Sequence, residues 1–221
     1  MTQGAVLLHG AASSSSATWA GAGWADLLDD LAITTSYVPL PGHQGSPLAA
    51  DAPASRVTAE ILAADPGADV VLGFSAGAAL ALQAAAAAPE RFRKIALLGF
   101  GDGMWTAPST RAAIAERLTT RSDADNADVL LMRSMAASAG NDVQQVARFL
   151  ATYPGPPPLE SLRALTAEVL VVVGDRDSVG PADRLAAALG SARVVTLPGV
   201  DHYRTPHAPG AMAAVQGFLS G

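Results

Sequence analysis

Short apolar runs alternate along this chain with longer stretches of helical periodicity. The runs Ala5-Leu8, Thr35-Val38, Val70-Phe74, Ile95-Gly99, Val169-Gly174 and Arg193-Leu197 read as strands. Most are apolar throughout rather than alternating, which predicts strands covered on both faces, as in a parallel sheet between helices. Helical patterns fill the gaps over Ala20-Leu31, Ala54-Ala63, Ala76-Ala87, Ala182-Leu189 and Gly210-Leu219. Pro181 before one of these and Gly190 after it are the usual helix punctuation. The β-α alternation predicts an α/β fold: an open, mostly parallel sheet of about six strands flanked by helices.

One stretch breaks the alternation. Residues 101–168 carry no strand pattern, only helical stretches over Arg111-Thr120, Ala127-Ser138 and Asp142-Thr152. Asn141 followed by Gln144 resembles a capping box, and Val143, Val146, Ala147 and Leu150 then form one apolar face. The run Pro154-Gly155-Pro156-Pro157-Pro158 closes the stretch as a stiff connector. The expected organisation is therefore one core built from 1–100 and 169–221, with 101–168 as a helical insertion over the sheet. The serine run Ser13-Ser16 reads as a polar loop.

Composition removes several classes. At 221 residues the chain has room for one domain with a large core. Its formal net charge of -6 argues against a nucleic-acid partner. With no cysteine there is neither a disulfide nor thiolate chemistry. Met1-Thr2-Gln3-Gly4 lacks a basic leader, and the long uncharged stretch from Val70 to Pro89 is mostly alanine. It reads as a buried strand and helix rather than a membrane span, so the expected compartment is cytoplasmic. There is no His-x-x-x-His or other ligand-spaced cluster, no phosphate loop and no dinucleotide fingerprint. Neither metal nor cofactor is expected.

The chemistry-bearing signal is Gly73-Phe74-Ser75-Ala76-Gly77, set between an apolar run and an alanine-rich helical stretch. Alone the pattern is weak. In this setting it describes a strained strand-to-helix turn that thrusts a serine hydroxyl outward at a helix N-terminus. A serine nucleophile needs a base, and the base needs an orienting acid. Of the four histidines, His202 follows the last predicted strand, at the ligand side of a parallel sheet. His207 is a rival, flanked by Pro206 and Pro209; His9 and His43 read as turn and backbone supports. Asp177, after Gly174-Asp175-Arg176, is the preferred acid, and Asp102, just beyond the fourth predicted strand, is the alternative.

These pieces together resemble the α/β-hydrolase fold superfamily. The resemblance is carried by Leu7-Leu8-His9-Gly10, Pro41-Gly42-His43-Gln44-Gly45-Ser46, the Ser75 motif, Gly174-Asp175-Arg176-Asp177 and Gly199-Val200-Asp201-His202, in the family's order of nucleophile, acid and histidine. It implies Asp177 as the acid, the backbone amides of Ala11 and Ala76 as an oxyanion hole, and residues 101–168 as a substrate cap. Against the family pattern the sequence is expected to lack the first two strands, which leaves Thr35-Val38 at a sheet edge beside Pro39. Gln44 stands where the family has a glycine.

The expected activity is that of a serine hydrolase, cleaving an ester of a small, mostly apolar molecule through an acyl-enzyme. The same triad also serves carbon–carbon, lactone, amide or perhydrolysis chemistry, or persists in weakly catalytic ligand-binding members of the fold. Phe74, Met104 and Trp105 are candidates for the acyl pocket, Trp105 equally for packing the insertion onto the core; Trp19 and Trp24 read as helix-packing residues. Oligomeric state is left open.

Overall fold

The computed structural model describes residues 3–46, 54–120 and 126–221; the leader reading at Met1-Thr2 lies outside them. The strands are β1 (Gln3–Leu8), β2 (Ile33–Val38), β3 (Val70–Phe74), β4 (Lys94–Leu98), β5 (Glu168–Gly174) and β6 (Arg193–Leu197). The helices are α1 (Ser15–Thr18), α2 (Trp24–Asp30), α3 (Ala54–Ala64), α4 (Ala76–Ala87), α5 (Pro108–Thr119), α6 (Ala127–Ser138), α7 (Val143–Thr152), α8 (Asp183–Leu189) and α9 (Pro209–Ser220). The strands form one sheet in the order β2-β1-β3-β4-β5-β6, and every pairing is parallel. All six strands therefore end on the same side, and the loops that leave them converge there.

Burial follows the sequence pattern. β3 and β4 are buried along their whole length, because both faces are covered. Successive side chains divide between two cores. Val6, Leu8, Val71, Ile95, Leu97, Val169 and Val171 face α3, α4 and α8. Ala5, Leu7, Val70, Leu72, Ala96, Leu98, Leu170 and Val172 face Trp19, Trp24, Leu28 and α9. The period of two along each strand sends neighbouring residues to opposite layers. The outer strands β2 and β6 carry mixed sequences, ITTSYV and RVVTL, and are only partly buried. Thr35-Val38 does lie at a sheet edge, as read, though its strand begins two residues earlier at Ile33.

Three local readings are corrected. The helix expected over Ala20-Leu31 is interrupted: a 3-10 turn over Ala20–Ala22 leads to Gly23 at φ 84°, and only then does α2 begin. Glycine reaches that left-handed conformation without the steric cost other residues bear. The serine run is not all loop, for Ser14 accepts a hydrogen bond from the Ala17 N–H at 3.2 Å and caps α1. No capping box forms at Asn141. Asp142 is the N-cap of α7, accepting from the Gln144 N–H, while Asn141 leaves the helix altogether. Its Nδ2 donates to the Ser13 carbonyl and its Oδ1 accepts from the Gln44 N–H, both at 2.8 Å. That side chain ties the insertion to two loops of the core.

On the opposite layer, Trp19 and Trp24 meet edge to face, 5.5 Å between centroids, both fully buried. The Trp24 indole N–H donates to the Pro206 carbonyl at 2.7 Å, joining α2 to the loop that follows β6. Trp24→Phe removes this donor and strands a buried carbonyl. Urea unfolding should show a loss of about 1–3 kcal/mol; an unchanged midpoint would mean the bond contributes nothing.

Candidate active site

Ser75 is the N-cap residue of α4, at φ 54° and ψ -115°. A serine held at positive φ is strained, and the surroundings impose it. The Ser75 N–H donates to the Leu98 carbonyl at 2.9 Å, so β4 fixes the start of the turn. The glycines on either side make room. A Cβ on Gly77 would lie 2.3 Å from the Leu8 carbonyl oxygen and 2.4 Å from that of His9; one on Gly73 would lie 2.6 Å from the Ala78 backbone. The end of β1 therefore crosses directly over the first turn of α4, and only glycine permits that approach.

The second half of the site comes from β5 and β6. Gly174 ends β5, and a Cβ there would lie 1.9 Å from the Val200 carbonyl oxygen. This contact lets the loop after β6 pass over β5 toward β3. Asp175 serves the crossing: its N–H donates to the Leu197 carbonyl, and its carboxylate accepts from the Gly199 N–H at 2.7 Å. Asp177 points inward with its side chain fully buried and lies 3.0 Å from His202 Nδ1 through either oxygen. It also accepts from the Val179 N–H at 3.0 Å. His202 Nε2 lies 2.9 Å from Ser75 Oγ. With Nδ1–H donating to the carboxylate, Nε2 is left to accept from the hydroxyl. Gly99, at φ 56°, keeps space for Phe74 and the His202 ring, whose centroids are 5.2 Å apart.

The alternative acid and base lie elsewhere. Asp102 caps α8, its two oxygens accepting from the Arg184 and Leu185 N–H groups at 3.0 and 3.2 Å. His207 is exposed in a single 3-10 turn and does not line the cavity.

Ser75 and His202 open onto a cavity of about 330 Å³. Ala11 and Ala76 also line it, and among the described residues their N–H groups donate to no protein acceptor. Phe74 and Met104 are on the wall; Trp105 is not. Its indole N–H donates to the Pro157 carbonyl at 2.9 Å and its ring packs edge to face on Phe100, so it anchors the insertion. Sequence reasoning gave 101–168 as a cap but did not name the side chains it contributes: Arg111, Val129, Met132, Met135, Leu150 and Tyr153 also face the cavity. Val129, Met132 and Met135 recur at intervals of three, an apolar stripe that could have marked the inner face of α6. Among the described residues no cluster could hold a metal ion and no helix is long and apolar enough to cross a membrane.

His9 and His43 brace the wall from behind. His9 Nε2 accepts from the Leu40 N–H at 3.1 Å, and His43 Nε2 accepts from the Ala12 N–H at 2.9 Å. Each Nδ1–H then donates to a carbonyl, of Gly10 and Pro41 respectively. Ala12 itself is held at φ 62°. Both rings are buried and neutral. Burial, then the neighbouring His43, lowers the pKa of His9 to about 3, and burial lowers that of His43 to about 4.

A family model described as the alpha/beta hydrolase family matches residues 5–215. A hydrolase from Pseudomonas aeruginosa PA01 is similar with a TM-score of 0.76 at 19% identity, over 100% of this chain and 91% of that one. A carboxylesterase from the ammonia-oxidizing thaumarchaeon Nitrososphaera gargenis gives 0.74 at 19% identity, over 99% and 90%. The 2-hydroxy-6-oxo-6-phenylhexa-2,4-dienoate hydrolase of Rhodococcus sp. strain RHA1 gives 0.70 at 24% identity, over 99% and 90%. A comparison with curated proteins finds no match.

Two outcomes test this construction. Gly77→Ala places a methyl group against two backbone oxygens and should cost about 1–3 kcal/mol in urea unfolding while displacing Ser75; full stability would refute the close crossing. The paired histidines make stability fall with acid. Both are neutral when folded, whereas unfolded histidines take up protons below about pH 6.5. Stability is thus complete above that pH and declines below it, by about 1.4 kcal/mol per pH unit for each ring, until the folded pKa is reached. Unfolding free energies at pH 7, 6 and 5 should show this fall, and a flat profile would contradict two neutral buried rings.

Proposed function

The chain belongs to the alpha/beta hydrolase family, and from that premise we propose that it is a serine hydrolase cleaving a carboxylic ester of a small, mostly apolar substrate. The observation that carries this reading is the unbroken series from Ser75 Oγ to His202 Nε2, 2.9 Å, and from Nδ1 to Asp177, 3.0 Å. Neutral His202 takes the Ser75 proton as Oγ attacks the ester carbonyl. Asp177 holds the imidazole in the required tautomer and stabilises the cation that forms. The amides of Ala11 and Ala76 receive the oxyanion, at the N-terminus of α4 in the second case. Loss of one such donor typically raises the barrier by about 3 kcal/mol, although every substitution except proline leaves the amide in place. His202 returns the proton to the leaving alcohol, then activates water to release the acid.

The cavity wall supports an apolar acyl or alcohol portion, since Phe74, Met104, Met132, Met135 and Leu150 line it. Residues 101–168 act as the cap that sets specificity. We take the substrate to be a small molecule, expect neither a nucleic-acid partner, given the net charge of -6, nor a cofactor, and propose a cytoplasmic setting.

A panel of short and long nitrophenyl esters checks the proposal. Ser75→Ala and His202→Ala should each lower turnover about a thousandfold or more, and the double variant should be no worse than the poorer single one. Losses that multiply would show that the two side chains do not act as a unit. Ester turnover surviving Ser75→Ala would end the serine mechanism.

A further inference from the structure

The cavity wall contains a cation that has no paired anion among the described residues. Arg111, on α5, is only 9% exposed and lines the cavity. Its Nη1 donates to the Thr106 carbonyl at 2.6 Å, and its Nη2 reaches the Tyr153 carbonyl only at 3.5 Å. Its Nε is buried without a partner. The guanidinium lies 5.1 Å from the centroid of the Tyr153 ring and against Gly155. No carboxylate among the described residues pairs with it. Asp128, also on the wall, is exposed, where water and salt weaken its reach.

Two neutral carbonyls and an aromatic face do not neutralise a buried charge. A residue needed only to tie Thr106 to Tyr153 would not have to be a cation, and a buried cation without a counter-ion opposes folding. The planar guanidinium matches a carboxylate with paired donors, which makes arginine the usual receptor for that group. We propose that Arg111 binds a carboxylate carried by the substrate, so that the ester is a half-ester of a dicarboxylic acid or a molecule of equivalent charge. This deepens the ester-hydrolase reading and rests on it. The methionine and leucine side chains of the wall then cover the methylenes between the two ends.

The test compares nitrophenyl half-esters of succinic, glutaric and adipic acid with neutral esters of equal chain length. The wild-type protein should favour one of the charged esters in kcat/KM. In Arg111→Gln the ratio of charged to neutral kcat/KM should fall about 10- to 100-fold, and Arg111→Lys should recover part of it. An unchanged ratio, with both esters losing rate equally, would overturn the proposal and leave Arg111 as a tie between backbone segments. Should Arg111→Gln fail to fold, wild-type inhibition decides. Glutarate or adipate should inhibit neutral-ester hydrolysis at least 10-fold more strongly than the matching diamide, and equal inhibition overturns the proposal. Thermal shift of Ser75→Ala with adipate separates the two readings. Stabilisation without wild-type ester turnover keeps the receptor and rejects the ester chemistry; neutral-ester turnover without stabilisation rejects the receptor alone.

Discussion

One imidazole, shared between a buried carboxylate and a strained serine, is the interaction around which this structure is arranged. Asp177 and Ser75 leave the sheet from β5 and β3, with β4 lying between them. His202 must reach across that gap from the far edge. It does so because the loop after β6 lies directly on Gly174, with the Val200 carbonyl occupying the place of a side chain. A bulkier residue at 174 would lift the loop and part the ring from both partners. The chemistry is thus a consequence of backbone packing at two points, Gly77 under β1 and Gly174 under the last loop.

The parallel sheet does the coarse positioning. Since every strand runs the same way, each loop that carries a polar group emerges at one rim. The bracing is finer and comes from neutral histidines. His43 accepts the Ala12 N–H, fixing the turn beside Ala11, which lines the cavity. The ring of His43 also meets Phe149 of α7 edge to face at 5.3 Å. Together with Asn141, which bonds to the Ser13 carbonyl and the Gln44 N–H, it couples the insertion to the loop beneath. The cavity is accordingly walled on two sides by elements that touch each other.

Much of this was legible in the sequence because it depended on local rules. Continuous apolar runs marked the strands, and the glycines around Ser75 marked the turn; the structure then brings Ser75, His202 and Asp177 within hydrogen-bonding distance. What escaped depended on partners distant in the chain. Asn141 looks like a helix cap until Ser13 and Gln44 are placed beside it. Trp105 follows β4, where a pocket residue is expected, yet the carbonyl it needs belongs to Pro157. Arg111 appears in the sequence only as the start of a helical stretch, and the packing of α5 on α7 is what buries it. Gly23 divides a pattern that periodicity alone reads as continuous, because a left-handed residue leaves no trace in hydrophobic spacing.

The most direct measurement of the central claim is covalent. A fluorophosphonate reacts with a serine only when its hydroxyl is activated and an oxyanion site stands ready. The account predicts one label per chain, mapped by mass spectrometry to Ser75, and a much slower reaction when His202 is replaced by alanine. A label on a different serine, or a folded protein that takes none, would contradict it.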